Sequence, residues 1–323
     1  MGLTLTGSKA TRLAVASLLA ALVASSLLAA EPPAGQGLRI ATYNVENYLL
    51  MPRRLNGKLH TNTGKPEPEK EAVAKVIASV QPDVLGLMEI GDPAQLEDLR
   101  RHLHQQGVEY PHIEFLQAAD TTRHLVLLSR FPIVERHSLG EIPLRVNGMT
   151  LHSPRGIIDV TVEPPKGERV RILCVHLKAK LEVAEYDEAE LRNAEAEFLR
   201  RHVREILRTD PSTRLVLMGD FNETKNSQTI REVIGKPEWP DSLTALPLTD
   251  ERGELWTEYW SAADTYSRID YIMVSKKLVS DVDAGRSGIA RPSSWSKASD
   301  HCPLFITIGT SSTTSLTKTV SSP

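Results

Sequence analysis

The chain has 323 residues, of which 41% are hydrophobic and 24% charged, with a formal net charge of −3. That is enough apolar material for one large folded domain, and it excludes a disordered tail or a scaffold. An acidic total is also a poor fit to a dedicated nucleic-acid binder that relies on an overall basic surface, although local patches matter more than totals.

The first element in chain order is a targeting segment. Lys9 and Arg12 precede an uncharged apolar stretch from Leu13 to Ala30 that is rich in Ala and Leu and is followed by Glu31-Pro-Pro. This is the pattern of a secretory signal peptide, so residues 1–30 are expected to be removed on export. The stretch is just long enough to be weighed as a membrane anchor. Its Ala and Ser content and the small pair Ala29-Ala30 favour cleavage, although Leu28 is a weaker fit than Ala to the third position before that cut. No cysteine stands at its end to carry a bacterial lipid anchor. Removal takes away Lys9 and Arg12 and no acidic residue, moving the formal charge from −3 to −5. The expected location is secreted or periplasmic.

Periodicity then predicts a strand over Leu38 to Val45, a helix over Glu67 to Val80, a buried strand over Val84 to Met88 and a helix over Pro93 to Gln106. Strands are expected over His124 to Ser129, Gly156 to Val162 and Val170 to Leu177, the last two joined by a hairpin-like Glu163 to Gly167. Glu182 to Leu207 reads as a long amphipathic helix. Leu215 to Met218, Arg268 to Val274 and Leu304 to Ile308 complete the strands. The polar segment Arg53 to Glu69 reads as a mobile loop or a substrate rim, and 310–323 as a disordered Ser/Thr-rich tail. One domain is therefore expected over 31–309. Cys174 shares a strand face with His176, whereas Cys302 alternates with His301, so two buried free thiols are expected rather than a disulfide.

Polar clusters close several of the apolar runs. Leu215-Val-Leu-Met-Gly-Asp-Phe-Asn222 ends in Asp220 and Asn222, which share parity and would project the same way. A carboxylate beside an amide suits a hard divalent cation and the phosphate oxygen it polarises. The others are Thr42-Tyr-Asn-Val-Glu-Asn47, Asp83 to Ile90 with Glu89, Val175-His-Leu-Lys178, Ser267-Arg-Ile-Asp-Tyr-Ile272 and Ser299-Asp-His-Cys-Pro303. In this order they resemble the endonuclease/exonuclease/phosphatase superfamily, including its deoxyribonuclease I-like members, from about Leu38 to Ile308.

The resemblance implies an α/β fold, a four-layer α/β/β/α sandwich of two mixed sheets flanked by helices, and a Mg²⁺- or Mn²⁺-dependent hydrolase of phosphoric esters. It implies metal ligation by Glu89, Asn44 and Asp300, positioning of water and phosphoryl group by Asp220 and Asn222, and an Asp270–His301 pair. Whether Asp220 or His301 takes the proton stays open. His176 matches the second histidine of the deoxyribonuclease-like and sphingomyelinase-like branches, binding phosphate or donating to the leaving oxygen with Lys178 in support. If it acts as an imidazolium, Asp120 is the nearest match for its orienting acid. Arg155 and Arg130 are candidate phosphate contacts by family position, and Arg192 is expected to satisfy carbonyls at the rim.

Between Arg123 and Lys180 there are ten Lys or Arg against five Asp or Glu, a local excess suited to phosphate or to plain solvated edges. The leading expectation is a secreted, monomeric, deoxyribonuclease-like endonuclease acting on a phosphodiester, with nucleic acid as its partner. The alternative is a phospholipid phosphodiesterase, or an inositol or other phosphomonoesterase, on the same site. An aromatic content of 5% and the lack of an aromatic hairpin signature count against membrane lipids. A non-catalytic module on this fold is disfavoured by the full set of catalytic-type residues.

Overall fold

Strand Leu38–Tyr48 (β1) is buried along nearly its whole length, and a strand buried on both faces must be covered on both. Ile40 of β1 joins a core that also takes residues from the second sheet, whereas Ala41, Tyr43 and Val45 join a core shared with helices. That division sets the architecture. In the computed structural model, which describes residues 37–165 and 167–309 together with Gly2, two sheets lie back to back with helices outside each. The signal-type segment and the Ser/Thr-rich tail lie outside the described residues.

The remaining strands of the two sheets are Val84–Ile90 (β2), His112–Leu116 (β3), His124–Ser129 (β4), Ile133–Arg136 (β5), Ile157–Val162 (β6) and Val170–His176 (β7). They continue with Leu215–Asp220 (β8), Leu243–Ala245 (β9), Asp270–Ser275 (β10), Gly288–Ile289 (β11) and Leu304–Ile308 (β12). The first sheet is six-stranded in the order β11-β12-β1-β2-β4-β3, and the second, also six-stranded, runs β9-β10-β8-β7-β6-β5. Each is mixed: β1 with β2 and β7 with β8 are parallel pairs, and the others named in the registers are antiparallel. Helices Glu67–Val80 (α1) and Pro93–Gln105 (α2) cover the first sheet, and Glu188–Thr209 (α3) and Gln228–Ile234 (α4) cover the second. This is the four-layer α/β/β/α sandwich that the resemblance implies.

Small residues set how closely the sheets meet. A Cβ on Gly86 of β2 would stand 2.7 Å from Met218 Cε and 2.8 Å from Cys174 Sγ of the other sheet. Cys174 and Cys302 are both free and buried, as expected. Both nevertheless belong to the same central core, so the opposed directions inferred from parity do not account for their being unpaired.

Three expectations are corrected. Helix α3 begins at Glu188 rather than Glu182, because Asp187 caps it, accepting hydrogen bonds from the amides of Ala189 and Glu190. Most of the segment Arg53 to Glu69 is not loop: Met51–Leu55 and Lys58–Thr63 form an antiparallel hairpin, and Glu67–Glu69 opens α1. Its turn is Asn56-Gly57, with φ of 49° and 76°, a two-residue turn whose left-handed pair matches the twist of a hairpin. Lastly, Glu258–Trp260 and Thr265–Ser267 form a hairpin bearing Tyr259, Trp260 and Tyr266. Trp260 and Tyr266 are exposed, so an exposed aromatic hairpin is present after all.

Candidate active site

In β7, β8 and β10 the even-numbered residues Ile172, Cys174, Val216, Met218, Ile272 and Val274 face the central core. Two-residue alternation therefore brings His176, Asp220 and Asp270 to that same inner side at the strand ends. They lie on one rung, His176 paired with Asp220 and Asp220 with Asp270. Gly219 lets that rung form. It has φ 143°, and a Cβ there would lie 1.9 Å from the Val175 carbonyl oxygen.

On the facing sheet Asn44 is inward by the same parity, but Glu89 is not: its neighbours Leu87 and Ile90 belong to the helix-side core. A register shift between Leu87 and Ile90 and a φ of 66° at Glu89 break the alternation. Glu89 Oε1 thereby comes to 3.4 Å from Asn44 Nδ2, and its Oε2 accepts a hydrogen bond from the Asn47 amide at 2.8 Å. Asn44 Nδ2 also donates to Asp220 Oδ2 at 3.1 Å, so one amide links the two sheets. His176 Nε2 lies 3.5 Å from Asp220 Oδ2 and 4.0 Å from Glu89 Oε1.

His301 completes the cluster. Its Nδ1 is 2.8 Å from Asp270 Oδ2, and its Nε2 is 3.8 Å from Asp220 Oδ2 and 3.9 Å from Asp300 Oδ1. Ser299 holds this segment against β1, donating from Oγ to the Asn44 carbonyl and accepting from the His301 amide. Burial alone would lower the His301 pKa, but Asp270, Asp220 and Asp300 outweigh it and hold the ring protonated well above its ordinary value. Burial, then the negative charge of Asp270, raises the Asp220 carboxyl well above the usual carboxylate range. His176 goes the other way: burial, with the positive charges of Arg155 and His301, keeps it neutral well below the ordinary histidine value.

The donor set suits a divalent cation. Carboxylates of Asp220, Asp270, Glu89 and Asp300 converge from both sheets, and Asp220 is raised by burial and by the charge of Asp270 even with His301 nearby, an environment that a cation relieves. Ligand atoms of Asp220, Asp270 and His301 lie within 4.8 Å of one another, as do those of Glu258, Asp300 and His301.

Several sequence-derived assignments change. Lys178 turns away from the cluster, its Nζ donating to the Ala179 and Leu181 carbonyls at 3.1 and 3.2 Å. Arg130 pairs with Asp83 at 3.7 Å, just ahead of β2, about 20 Å from Glu89 at the strand's rise per residue. Asp120 faces Arg155 at 3.4 Å and does not orient His176, whose Nδ1 has no partner. The neutral ring therefore needs no orienting acid. Strand β8 ends at Asp220 and Asn222 is left-handed with φ 51°, so the two do not simply share parity. Asn222 Nδ2 donates to the Leu177 carbonyl and its amide to Asp220 Oδ1, fastening the turn. Arg192 donates to the Lys178 carbonyl and pairs with Glu188 and Glu223, the rim role expected of it. Arg155 remains beside His176, its Nε buried and without a partner.

Glu258 is the residue that sequence reasoning missed. It lies on the aromatic hairpin, bridges His301 through its backbone, and is followed by Tyr259, whose amide donates to the Asp300 carbonyl. No local motif marks it, because its partners are more than forty residues away.

The model of the Endonuclease/Exonuclease/phosphatase family matches residues 41–301, a span that runs from β1 to His301 and takes in every residue of this cluster. The chain belongs to that family. Its members are phosphoric ester hydrolases and are generally dependent on a divalent metal. Among solved structures, an endonuclease/exonuclease/phosphatase family protein from Leptotrichia buccalis matches at 17% identity and TM-score 0.57, covering 84% of this chain and 99% of that one. The human Nocturnin catalytic domain with a bound sulfate anion matches at 18% identity and TM-score 0.55, covering 84% and 94%. Sphingomyelinase C from Streptomyces griseocarneus matches at 16% identity and TM-score 0.52, covering 84% and 99%. At such identities these likenesses concern the fold. No curated protein matches the chain.

Proposed function

We propose that this protein is a Mg²⁺- or Mn²⁺-dependent phosphodiesterase of the deoxyribonuclease-like type, acting on nucleic acid as an exported monomer. The observation that carries the hydrolytic reading is the convergence of Asn44, Glu89, His176, Asp220, Asp270 and His301 from two facing sheets.

Glu89, Asp300 and Asp220, with Asn44 beside them, would hold the cation, which when bound neutralises charge on the phosphoryl oxygens. The chain's own groups do the rest. Asp270 fixes the tautomer and orientation of His301 through Nδ1, leaving Nε2 toward Asp220, and one of these two groups takes the proton of the water that attacks phosphorus as the bond to the leaving oxygen breaks. His176 has Nε2 turned to the carboxylates and Nδ1 unpartnered, so as a neutral ring it offers an Nε2–H to a phosphoryl or leaving oxygen. Arg155 beside it supplies a fixed positive charge for the phosphate.

The basic hairpin supports nucleic acid as substrate. Residues 51–63 include Arg53, Arg54, Lys58 and His60 and no acidic residue. The hairpin is tethered to the site by Arg53, which donates to the Asn47 carbonyl. A basic arm beside a phosphoryl-transfer site suits a polyanion. The lipid reading keeps a specific support of its own in the exposed aromatic hairpin.

Hydrolysis of plasmid DNA, RNA, bis-p-nitrophenyl phosphate, sphingomyelin and inositol phosphates, with Mg²⁺ and with EDTA, tests the reading. DNA or RNA cleavage abolished by EDTA is expected. Full activity in EDTA overturns the mechanism, and sphingomyelin hydrolysis alone overturns the substrate. Export is supported by Leu13 to Ala30 and is checked by mass spectrometry of the native protein, where an N-terminus near Glu31 is expected. An intact Met1 in a membrane fraction overturns it.

A further inference from the structure

Among the described residues, Trp260 is a large aromatic side chain left 57% exposed at the edge of the catalytic cluster. Its hairpin has two differently used faces. Tyr259 and Tyr266 pair across one of them with ring centroids 4.6 Å apart, and Tyr266 continues onto Trp256 at 4.7 Å. On that face the rings stack on one another, although Tyr266 keeps an exposed edge. Glu258 and Trp260 share the other face, opposite Ser267 and Thr265. Glu258 on that face brings its carboxylate within 4.8 Å of ligand atoms of Asp300 and His301. Trp260 stands two residues further along, about 7 Å by strand rise, on the same side.

We propose that Trp260 is a base-stacking subsite, holding the nucleobase of the nucleotide whose phosphate reacts. The proposal rests on the phosphodiesterase reading and narrows its substrate to nucleoside phosphodiesters with an unpaired or splayed base. Three features favour a base. The strand that carries the indole is anchored to the reacting centre by the Glu258–His301 bridge and the Tyr259–Asp300 hydrogen bond. Trp260 stands about 7 Å along the strand from Glu258, a spacing of the same order as that between a phosphate and the base of its own nucleotide. An exposed aromatic face next to a phosphoryl-transfer site is a platform on which the bases of single strands stack. A membrane is the poorer occupant. The hairpin tip, Ser261-Ala-Ala-Asp264, carries no large apolar side chain, and its Asp264 carboxylate accepts a hydrogen bond from Tyr259 at 2.9 Å. Inserting that tip would bury an anion.

The test compares a short single-stranded oligonucleotide with the same chain carrying tetrahydrofuran residues in place of the bases flanking the cleaved phosphate. Trp260→Ala should raise KM on the base-containing chain on the order of 10-fold with kcat little changed, since stacking on an aromatic platform is lost. It should leave the abasic chain unaffected, and Trp260→Phe should restore most of the loss. An equal effect on both chains, or none on either, overturns the proposal. So does Trp260-dependent binding to phosphatidylcholine vesicles without a base effect. Should the wild-type protein cleave neither chain, the nuclease reading falls, and the subsite is judged by binding alone. Thymidine 5′-monophosphate should then quench tryptophan fluorescence in the wild type and not in Trp260→Phe. Absent or unchanged quenching overturns it.

Discussion

At the scale of single residues the site depends on a few side chains held where ordinary strand geometry would not put them. Glu89 sits at φ 66°, a conformation costing about 1–3 kcal/mol for a non-glycine residue, and it is there that its carboxylate reaches Asn44. Glu89→Gln keeps the shape and removes the charge. Activity should fall sharply at low Mg²⁺ and recover in part as Mg²⁺ is raised, measured by rate against metal concentration; a loss unmoved by metal would assign Glu89 another role. His176 is neutral and faces the carboxylates, so its Nε2–H offers a hydrogen bond and no spare proton, and His176→Ala should slow hydrolysis to a similar extent with a sugar hydroxyl or with p-nitrophenolate as leaving group. A loss confined to the sugar leaving group would mean that the ring carries a proton during the reaction and acts as the general acid. The Asp270–His301 pair has a pH signature in the chelated protein. Because Asp270 and its neighbours outweigh burial and raise the folded His301 pKa, the pair's contribution to stability is fully present below about pH 6.5, the ordinary histidine value. It is lost as pH rises through the raised folded value. In EDTA, denaturant titrations should show Asp270→Asn furthest below wild type under acidic conditions, with the gap closing toward alkaline pH.

At the scale of elements, Gly86 is a point of close approach between the two sheets, against Met218 and Cys174. Gly86→Val should destabilise by about 1–3 kcal/mol through overpacking, read as a lowered Tm, with activity falling in step if the sheets part at the site. Much of this level was legible in the sequence. Strands β1, β2, β7, β8 and β12 were marked by largely apolar runs, and the family motifs at or near their ends marked Asn44, Glu89, His176, Asp220, Asp270 and His301 as one site. What escaped had a different cause in each case. The bulge that turns Glu89 inward is a backbone event with no residue signature of its own. Glu258 meets His301 only through long-range pairing. The hairpins at Asn56-Gly57 and Asn147-Gly148, both with left-handed pairs, did carry a signal, the Asn-Gly dipeptide of a tight turn, but the strands around it are short, and even where Pro143–Val146 alternates it does so over only two periods.

At the scale of the whole molecule, an acidic protein directs a basic hairpin and Arg155 at the same end of the sandwich as its carboxylates, so its positive potential is local rather than global. Family membership and the two-sheet frame follow from motifs spread from Thr42 to His301, whereas the substrate is decided by the rim, where hairpins and not motifs stand. One consequence of the buried Glu89–Asp220–Asp270 cluster is thermodynamic. Burial of Asp220 and its repulsion by Asp270 subtract from folding, and any cation the cluster accepts is also a folding ligand. Saturation at 100 times its dissociation constant should add about 2.7 kcal/mol. Melting curves across Mg²⁺, Mn²⁺, Ca²⁺ and Zn²⁺ should therefore rank the metals by affinity with no substrate in hand, the favoured ion raising Tm by several degrees and Glu89→Gln blunting the rise; a melting point indifferent to every cation would mean that the cluster's acids are held protonated instead.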